Sequence, residues 1–266
     1  MSHSARSVAK SGLAACLACA LAFGAAPAAV AAGVDPDGLA RFKAAFAVFD
    51  ALAGETRKLG APPRLRDPDS AAVLAGIWDV GNVIGAAPWT ARDVPTLLDM
   101  LQMEQAAVKT YALFSADAAI PANAAANETA LHPEMTRSFA AMLALEGPAI
   151  DAIADFAAKL PSAQMSDVRR AGLAKMRSGY VEQLSGMLLV MTDGVPGDEA
   201  GNALLAHGVA AVSPRLAGAL TLHDRAPMAQ KLRDAAAKLV GAPRADIEAA
   251  AKAFDGSACD GLCAVK

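Results

Sequence analysis

The chain has 266 residues, of which 55% are hydrophobic but only 5% are aromatic. About a quarter of the residues are alanine, and 19% are charged. Because alanine adds little transfer free energy, this composition argues against a polytopic membrane protein. The formal net charge of −3 argues equally against a nucleic-acid-binding surface. A core so poor in aromatic side chains must be built from Leu, Val, Met and Ala, which predicts closely packed helices.

The N-terminal segment is typical of a secretory signal peptide. Two basic residues, Arg6 and Lys10, precede an apolar run over residues 13–34. Small residues near the end of this run predict that residues 1–31 are removed after Ala31. Export to the periplasm or secretion follows, and the mature protein would not be an integral membrane protein.

Two other interpretations of the segment are less consistent with its sequence. An uncleaved membrane anchor is disfavoured because the run is rich in alanine and contains Pro27. Lipidation of Cys16 is disfavoured because only Ser11 and Gly12 separate its local motif from Lys10.

Cleavage would leave two of the four cysteines and change the formal net charge from −3 to −5, with 22 basic and 27 acidic residues. The remaining pair, Cys259 and Cys263, predicts a disulfide that closes a small loop near the C-terminus, because exported proteins experience oxidising conditions. The alternative is a reduced pair that binds a soft metal together with ligands from elsewhere.

The rest of the mature chain carries the start and stop signals of consecutive helices. Asp, Ser or Thr often precedes a proline or an amphipathic run, and glycine often follows it. No segment alternates apolar and polar residues as a half-buried strand would. We therefore predict an all-α protein, residues 32–266 forming one domain, built as a multi-helix bundle or short irregular α-solenoid of about eight to ten helices. The predicted helices cover approximately residues 36–59, 68–85, 94–115, 133–145, 149–160, 168–191, 198–211, 214–222, 224–240 and 243–254.

Two features suggest further organisation. The segment 117–129 is rich in Ala and Asn without an amphipathic period, so it is a candidate sub-boundary or mobile loop. The segment from Pro133 to Leu160 resembles in layout the segment from Pro214 to Leu239, since each reads as a proline-started short helix, a break and a second helix. A degenerate duplication would explain this similarity between the two segments. The alternative is chance similarity between alanine-rich helices.

The common catalytic motifs are missing from the sequence. It has no nucleophile elbow, phosphate-binding glycine loop, dinucleotide fingerprint, zinc-protease motif or covalent haem motif. None of its glutamates is followed by a histidine three residues later, as di-iron bundles require. No cofactor is predicted, although non-covalent haem leaves no spacing signature.

Six residues are the candidate binding residues, because they place polar or amphipathic side chains within otherwise apolar helical segments. They are Trp78, Asp79, Asn82, Tyr111, Tyr180 and His207. The alternative for Asp79 and Asn82 is that they face water beside glycines that allow tight helix packing. The alternatives for His207, which lies in an apolar helix, are a hydrogen-bonded core histidine or a cavity ligand. His132, just before Pro133, is expected to face solvent at a helix start.

The leading functional hypothesis is an exported binding or interaction protein, with an unknown small molecule or protein as its partner. A second hypothesis is periplasmic copper handling through thioether and imidazole ligands. Its ligands would be Met100, Met103, Met187, Met191 and His207, with Cys259 and Cys263 as additions. A third hypothesis is a helical enzyme whose site converges from Asp79, Glu104, Tyr180, Glu182 and His207.

Intact-mass measurement of protein exported to the periplasm tests the processing and cysteine predictions together. We expect a mature chain that begins at Ala32 and resists alkylation until a reductant is added. A retained N-terminal segment would contradict cleavage, and two alkylated cysteines without reductant would contradict the disulfide.

Overall fold

A computed structural model describes residues 33–117, 119–192, 198–259 and 261–265. The predicted signal peptide lies outside the described residues. Within the described ranges the chain forms nine α-helices and no β-strand, which confirms the all-α multi-helix prediction. The helices are α1 (Pro36–Lys58), α2 (Pro68–Trp78), α3 (Val94–Ala112), α4 (Ala124–Ala130), α5 (His132–Lys159), α6 (Asp167–Thr192), α7 (Glu199–Ala219), α8 (Leu222–Ala236) and α9 (Gly241–Phe254).

The longest helix, α5, is the element around which the others are arranged. It packs along α7 and α3 and also contacts α2 and α4. Helix α7 packs on α9, α9 packs on α8, and α6 contacts α7 and α8. The buried apolar side chains form one continuous core from Val34 to Leu262.

Small residues let the central helices approach closely. Ala149 on α5 and Ala206 and Ala217 on α7 are all buried in the core. A Cβ atom placed on Gly208 of α7 would lie only 3.1 Å from Cδ1 of Leu143 on α5. The high alanine content therefore serves helix packing, as the composition predicts.

Two predicted helix breaks are wrong. Gly147-Pro148 lies inside α5, and Ser213-Pro214 lies inside α7, without interruption of either helix. Each proline removes one backbone hydrogen bond, but the turns around it are buried against neighbouring helices. Tertiary packing of the whole helix therefore outweighs the local signal.

The layout behind the proposed duplication is not present in the described structure. Residues 133–159 belong to one continuous helix, α5, whereas residues 214–239 include the end of α7, a break and all of α8. The two segments therefore differ in the very feature that made them look alike.

The candidate sub-boundary at 117–129 is partly helical. Asn123 caps α4, its side-chain oxygen accepting from the Ala126 N–H at 3.2 Å. The amide of Asn127 donates to the carbonyl oxygens of Ala112 and Phe114, which ties α4 to the end of α3. Of the helices described, none is both long enough and apolar enough to cross a bilayer.

Two buried arginines hold the C-terminal tail against the helices. Arg177 on α6 donates to the carbonyl oxygen of Ala219, which ends α7, and to those of Leu262 and Val265 in the tail. Burial lowers the pKa of Arg177, and the nearby carboxylate of Asp224 opposes this shift. The positive charge is compensated by carbonyl dipoles, including those at the C-terminal end of a helix.

Arg225 on α8 repeats this arrangement. Its guanidinium donates to the carbonyl oxygen of Leu220, which follows α7, and to those of Gly256 and Ala258 in the tail. The tail also contains the predicted disulfide, since the sulfur atoms of Cys259 and Cys263 lie 2.08 Å apart.

Substitution of Arg177 should therefore destabilise the protein strongly. We expect Arg177→Met to lower the free energy of unfolding by about 2–4 kcal/mol, because it leaves three carbonyl oxygens without their donor. Lys175→Met, two residues earlier on the exposed side of α6, is the matched control and should change it by less than about 0.5 kcal/mol. Urea unfolding followed by circular dichroism measures both, and equal effects would contradict the anchoring role.

Candidate functional site

A cleft opens where α3, α5 and α6 meet. Its cavity volume is about 30 Å³, room for about two water molecules, and the cavity is open to solvent. The lining combines apolar side chains with three glutamine amides. The lining residues are Leu98, Leu101, Gln102, Gln105, Glu146, Ile153, Met176, Tyr180 and Gln183.

Glu146 is the acid of this cleft. Glu146 lies in the middle of α5, and only 3% of its surface is exposed. Its Oε1 accepts a hydrogen bond from the side-chain amide of Gln183 on α6. Burial raises the pKa of Glu146 to about 8, and the hydrogen bond from Gln183 offsets only part of that effect. The carboxyl group is therefore mostly protonated at neutral pH, and it can either donate or accept a proton.

Gln105 adds an acceptor without a partner. The residue is 3% exposed, and its Oε1 has no hydrogen-bond partner although it is buried. Buried polar atoms are nearly always satisfied, so an orphaned acceptor beside an open cleft indicates a place for a donor from outside the protein. Tyr180, one of the predicted binding residues, is buried and lines the same cleft.

A second group of buried polar residues surrounds the N-terminal turns of α5. Oε1 of Glu134 accepts from the backbone N–H of Leu65 at 2.7 Å and lies 3.4 Å from Nε of Arg64. The Trp78 indole donates to the Ser138 hydroxyl, one turn further along α5, at 2.9 Å. These contacts attach the segment before α2, and the end of α2 itself, to the central helix.

Tyr111 and Glu104 of α3 lie close to this second group. Both residues are fully buried, and neither the Tyr111 hydroxyl nor the two Glu104 oxygens have a hydrogen-bond partner. Burial raises the pKa of Glu104 well above its ordinary value. It also raises the pKa of Tyr111, with smaller contributions from Glu134 and Glu104 that Arg64 opposes. Burial therefore favours the uncharged form of both groups.

His132 is buried, which corrects the expectation that it faces solvent. Its Nδ1 lies 2.8 Å from Oδ2 of Asp198 and its Nε2 lies 3.3 Å from the carbonyl oxygen of Val190. Desolvation opposes ionisation of Asp198, but the hydrogen bonds from His132 and the Gly201 N–H outweigh it and hold the pKa of Asp198 below its ordinary value. The contact joins α5 to the end of α6 and the start of α7.

The six predicted binding residues do not share one cavity. Tyr180 lines the cleft, while Trp78 and Tyr111 belong to the second polar group. Asp79 and Asn82 are exposed and hydrogen-bonded to each other.

His207 is also exposed, with 77% of its side-chain surface accessible, so both sequence-based alternatives for it are wrong. It lies on the outer face of α7, where its Nδ1 is 4.0 Å from Oδ2 of Asp246 on α9. The helix looked apolar all round because its outer face carries Leu204 and alanines.

The residues of the copper hypothesis are separated in the same way. Met100, Met187 and Met191 are packed in the apolar core, Met103 packs against it, and His207 faces solvent. Cys259 and Cys263 are joined to each other. In the described part of the chain, no three His, Cys, Asp or Glu side chains are grouped as metal ligands.

Sequence reasoning missed Glu146, Gln105 and Gln183. Glu146 precedes Gly147-Pro148, which was interpreted as a helix break, so its position inside a buried helix was hidden. The available signal was an acid next to Leu145 in an otherwise apolar stretch of α5. The two glutamines gave no signal, because amides on a helix are ordinarily solvated.

Comparison with protein-family models, with curated proteins and with solved structures finds no match for this chain. The site is therefore interpreted from its own chemistry.

The raised pKa of Glu146 predicts a pH dependence of stability. The folded state holds this proton more tightly than the unfolded state, so the stabilisation is complete below about pH 4.5 and is lost as the pH rises through about 8. Glu146→Gln keeps the shape without the titration. We expect it to be more stable than the wild type at pH 8, with a difference that grows by on the order of 1 kcal/mol per pH unit between pH 5 and 8.

Urea unfolding at several pH values measures this difference. Glu248→Gln, which removes an exposed carboxylate from α9, controls for the loss of one negative charge. A gap between Glu146→Gln and wild type that stays constant with pH would contradict the assignment.

Proposed function

We propose that this protein is an exported binding protein and that its ligand is a small amphipathic molecule held in the cleft between α3, α5 and α6. The observation that carries the proposal is that two buried polar residues line an open cleft, Glu146 and Gln105, and that the side-chain oxygen of Gln105 has no partner. Ligand sites combine an apolar lining with a few convergent polar groups, often including one with a perturbed pKa.

The dimensions of the cleft define what enters it. The cavity volume admits a polar head about the size of one or two water molecules, and a longer apolar portion would extend from it along the lining of the cleft. The side chains of Leu98, Leu101 and Ile153 offer that portion an apolar surface. A ligand with a short polar head and an aliphatic or aromatic tail matches both the volume of the cavity and its apolar lining.

Export is part of the proposal. It is supported by the basic, apolar and small-residue regions of the N-terminal sequence and by the disulfide between Cys259 and Cys263.

Catalysis in the same cleft is a second candidate function. It is favoured by one observation, the pKa of Glu146 near 8, which suits a general acid or base at neutral pH. Binding is preferred because the described lining offers no serine, cysteine or histidine as a nucleophile or second proton carrier.

Amide chemical shifts of the ¹⁵N-labelled protein test the binding function. Hexan-1-ol, hexanamide and hexylamine are suitable probes, since each carries a small polar head on a six-carbon tail. At least one should cause saturable shifts confined to α3, α5 and α6. Leu98→Trp, which places an indole in the mouth of the cleft, should abolish them.

Leu204→Trp is the matched control, because Leu204 is exposed on α7 and does not line the cleft. It should leave the shifts unchanged. The binding function is wrong if none of the three probes gives saturable shifts, or if the shifts survive in Leu98→Trp.

A further inference from the structure

The polar groups of the cleft form an unbalanced set. Glu146 and the Gln105 carbonyl are acceptors, and the Gln183 amide is already committed to Glu146. Among the described lining residues there is no lysine, arginine or histidine, and Glu146 is the one acid. The cleft therefore presents oxygen acceptors and lacks a cation to match them.

This imbalance selects between classes of ligand. An anion would meet a carboxyl group and a carbonyl oxygen with no positive charge nearby, so it is disfavoured. A neutral alcohol or amide can hydrogen-bond with both groups, but it gains no charge pairing. A cation gains an ion pair with Glu146 in a site largely shielded from water, where charge pairing is stronger than at a surface.

The size and shape of the cleft restrict the class of cationic ligand further. An ammonium group is about as large as a water molecule, so the cavity volume admits it, and its three N–H donors allow it to bond to more than one acceptor. Glu146 lies on α5 and Gln105 on α3, so such a donor would bridge the two helices. A guanidinium group is larger and planar, and the enclosed space does not accommodate it as well.

We infer that the ligand of this cleft is a primary alkylammonium compound, whose charged head lies between Glu146 and Gln105 and whose tail lies on Leu98, Leu101 and Ile153. This inference rests on the proposed binding function. The shared chemistry covers a free aliphatic amine and the side chain of a lysine in a peptide.

Binding of such a ligand changes the protonation of the site. Glu146 starts as a carboxylic acid and ends as a carboxylate paired with the ammonium group, and one proton passes to the solvent. The polar residues that line the cleft with Glu146 are Gln102 and Gln105 of α3 and Tyr180 and Gln183 of α6, and none of them supplies a competing positive charge.

Isothermal titration calorimetry with hexylamine at pH 7 tests the inference. We expect hexylamine to bind at least tenfold more tightly than hexan-1-ol and hexanamide, and hexanoate not to bind. Titration in phosphate and in Tris, which differ in ionisation enthalpy, should show release of about one proton per hexylamine. Nα-Acetyl-lysine N-methylamide distinguishes the two sources, because tighter binding than hexylamine indicates a lysine side chain and weaker binding indicates a free amine.

Two variants test whether hexylamine binding depends on the carboxyl group of Glu146. Glu146→Gln should weaken hexylamine binding at least tenfold while changing hexan-1-ol binding less than twofold. Glu248→Gln, which removes an exposed carboxylate from α9 and does not touch the cleft, is the matched control and should leave hexylamine binding within twofold. Thermal unfolding of each variant verifies that it is folded.

The inference is overturned if hexan-1-ol, hexanamide or hexanoate binds as tightly as hexylamine, or if Glu146→Gln leaves hexylamine binding unchanged. Either result, with amide shifts still confined to the cleft, leaves the binding function intact. If none of the probes binds, both the binding function and the alkylammonium inference are wrong.

Discussion

The structure depends on the burial of α5, whose polar side chains must find partners away from water. A helix surrounded by other helices cannot leave such groups to the solvent, and an unsatisfied buried polar group costs about 1–3 kcal/mol. Four of the buried polar side chains of α5 therefore contact neighbouring parts of the chain. The pairs are His132 with Asp198 and Val190, Glu134 with Arg64 and Leu65, Ser138 with Trp78, and Glu146 with Gln183. This series positions α2, α6 and α7 around the central helix, and the cleft lies at its last member.

The fold class could be predicted because the local signals for helices are strong. Asp35 and Asp67 directly precede α1 and α2, and each helix has proline in its first turn, as the sequence pattern indicates. The errors arise where burial overrides a local signal. Pro148 and Pro214 lie in helices whose packing stabilises them, and no pattern within a few residues carries that information.

The site was much less predictable. Of the six residues selected from the sequence, only Tyr180 lines the cleft. The selection relied on residue types that are unusual in apolar helices, and His207 shows why that fails, since the outer face of a helix can also be apolar. The groups that matter in the cleft come from three helices separated by about forty residues each. Their proximity is a property of the tertiary packing, and spacing along the chain does not encode it.

The anchoring of the C-terminal tail has a consequence for how its sequence can vary. Arg177 and Arg225 bind main-chain oxygens, at Gly256, Ala258, Leu262 and Val265, and every amino acid supplies such an oxygen. The attachment therefore depends on the path of the backbone and is indifferent to most side chains of the tail. The side chains at those positions can therefore vary while both arginines are retained. In a related sequence, the evidence for an anchored tail would be the arginines of α6 and α8 rather than the residues of the tail.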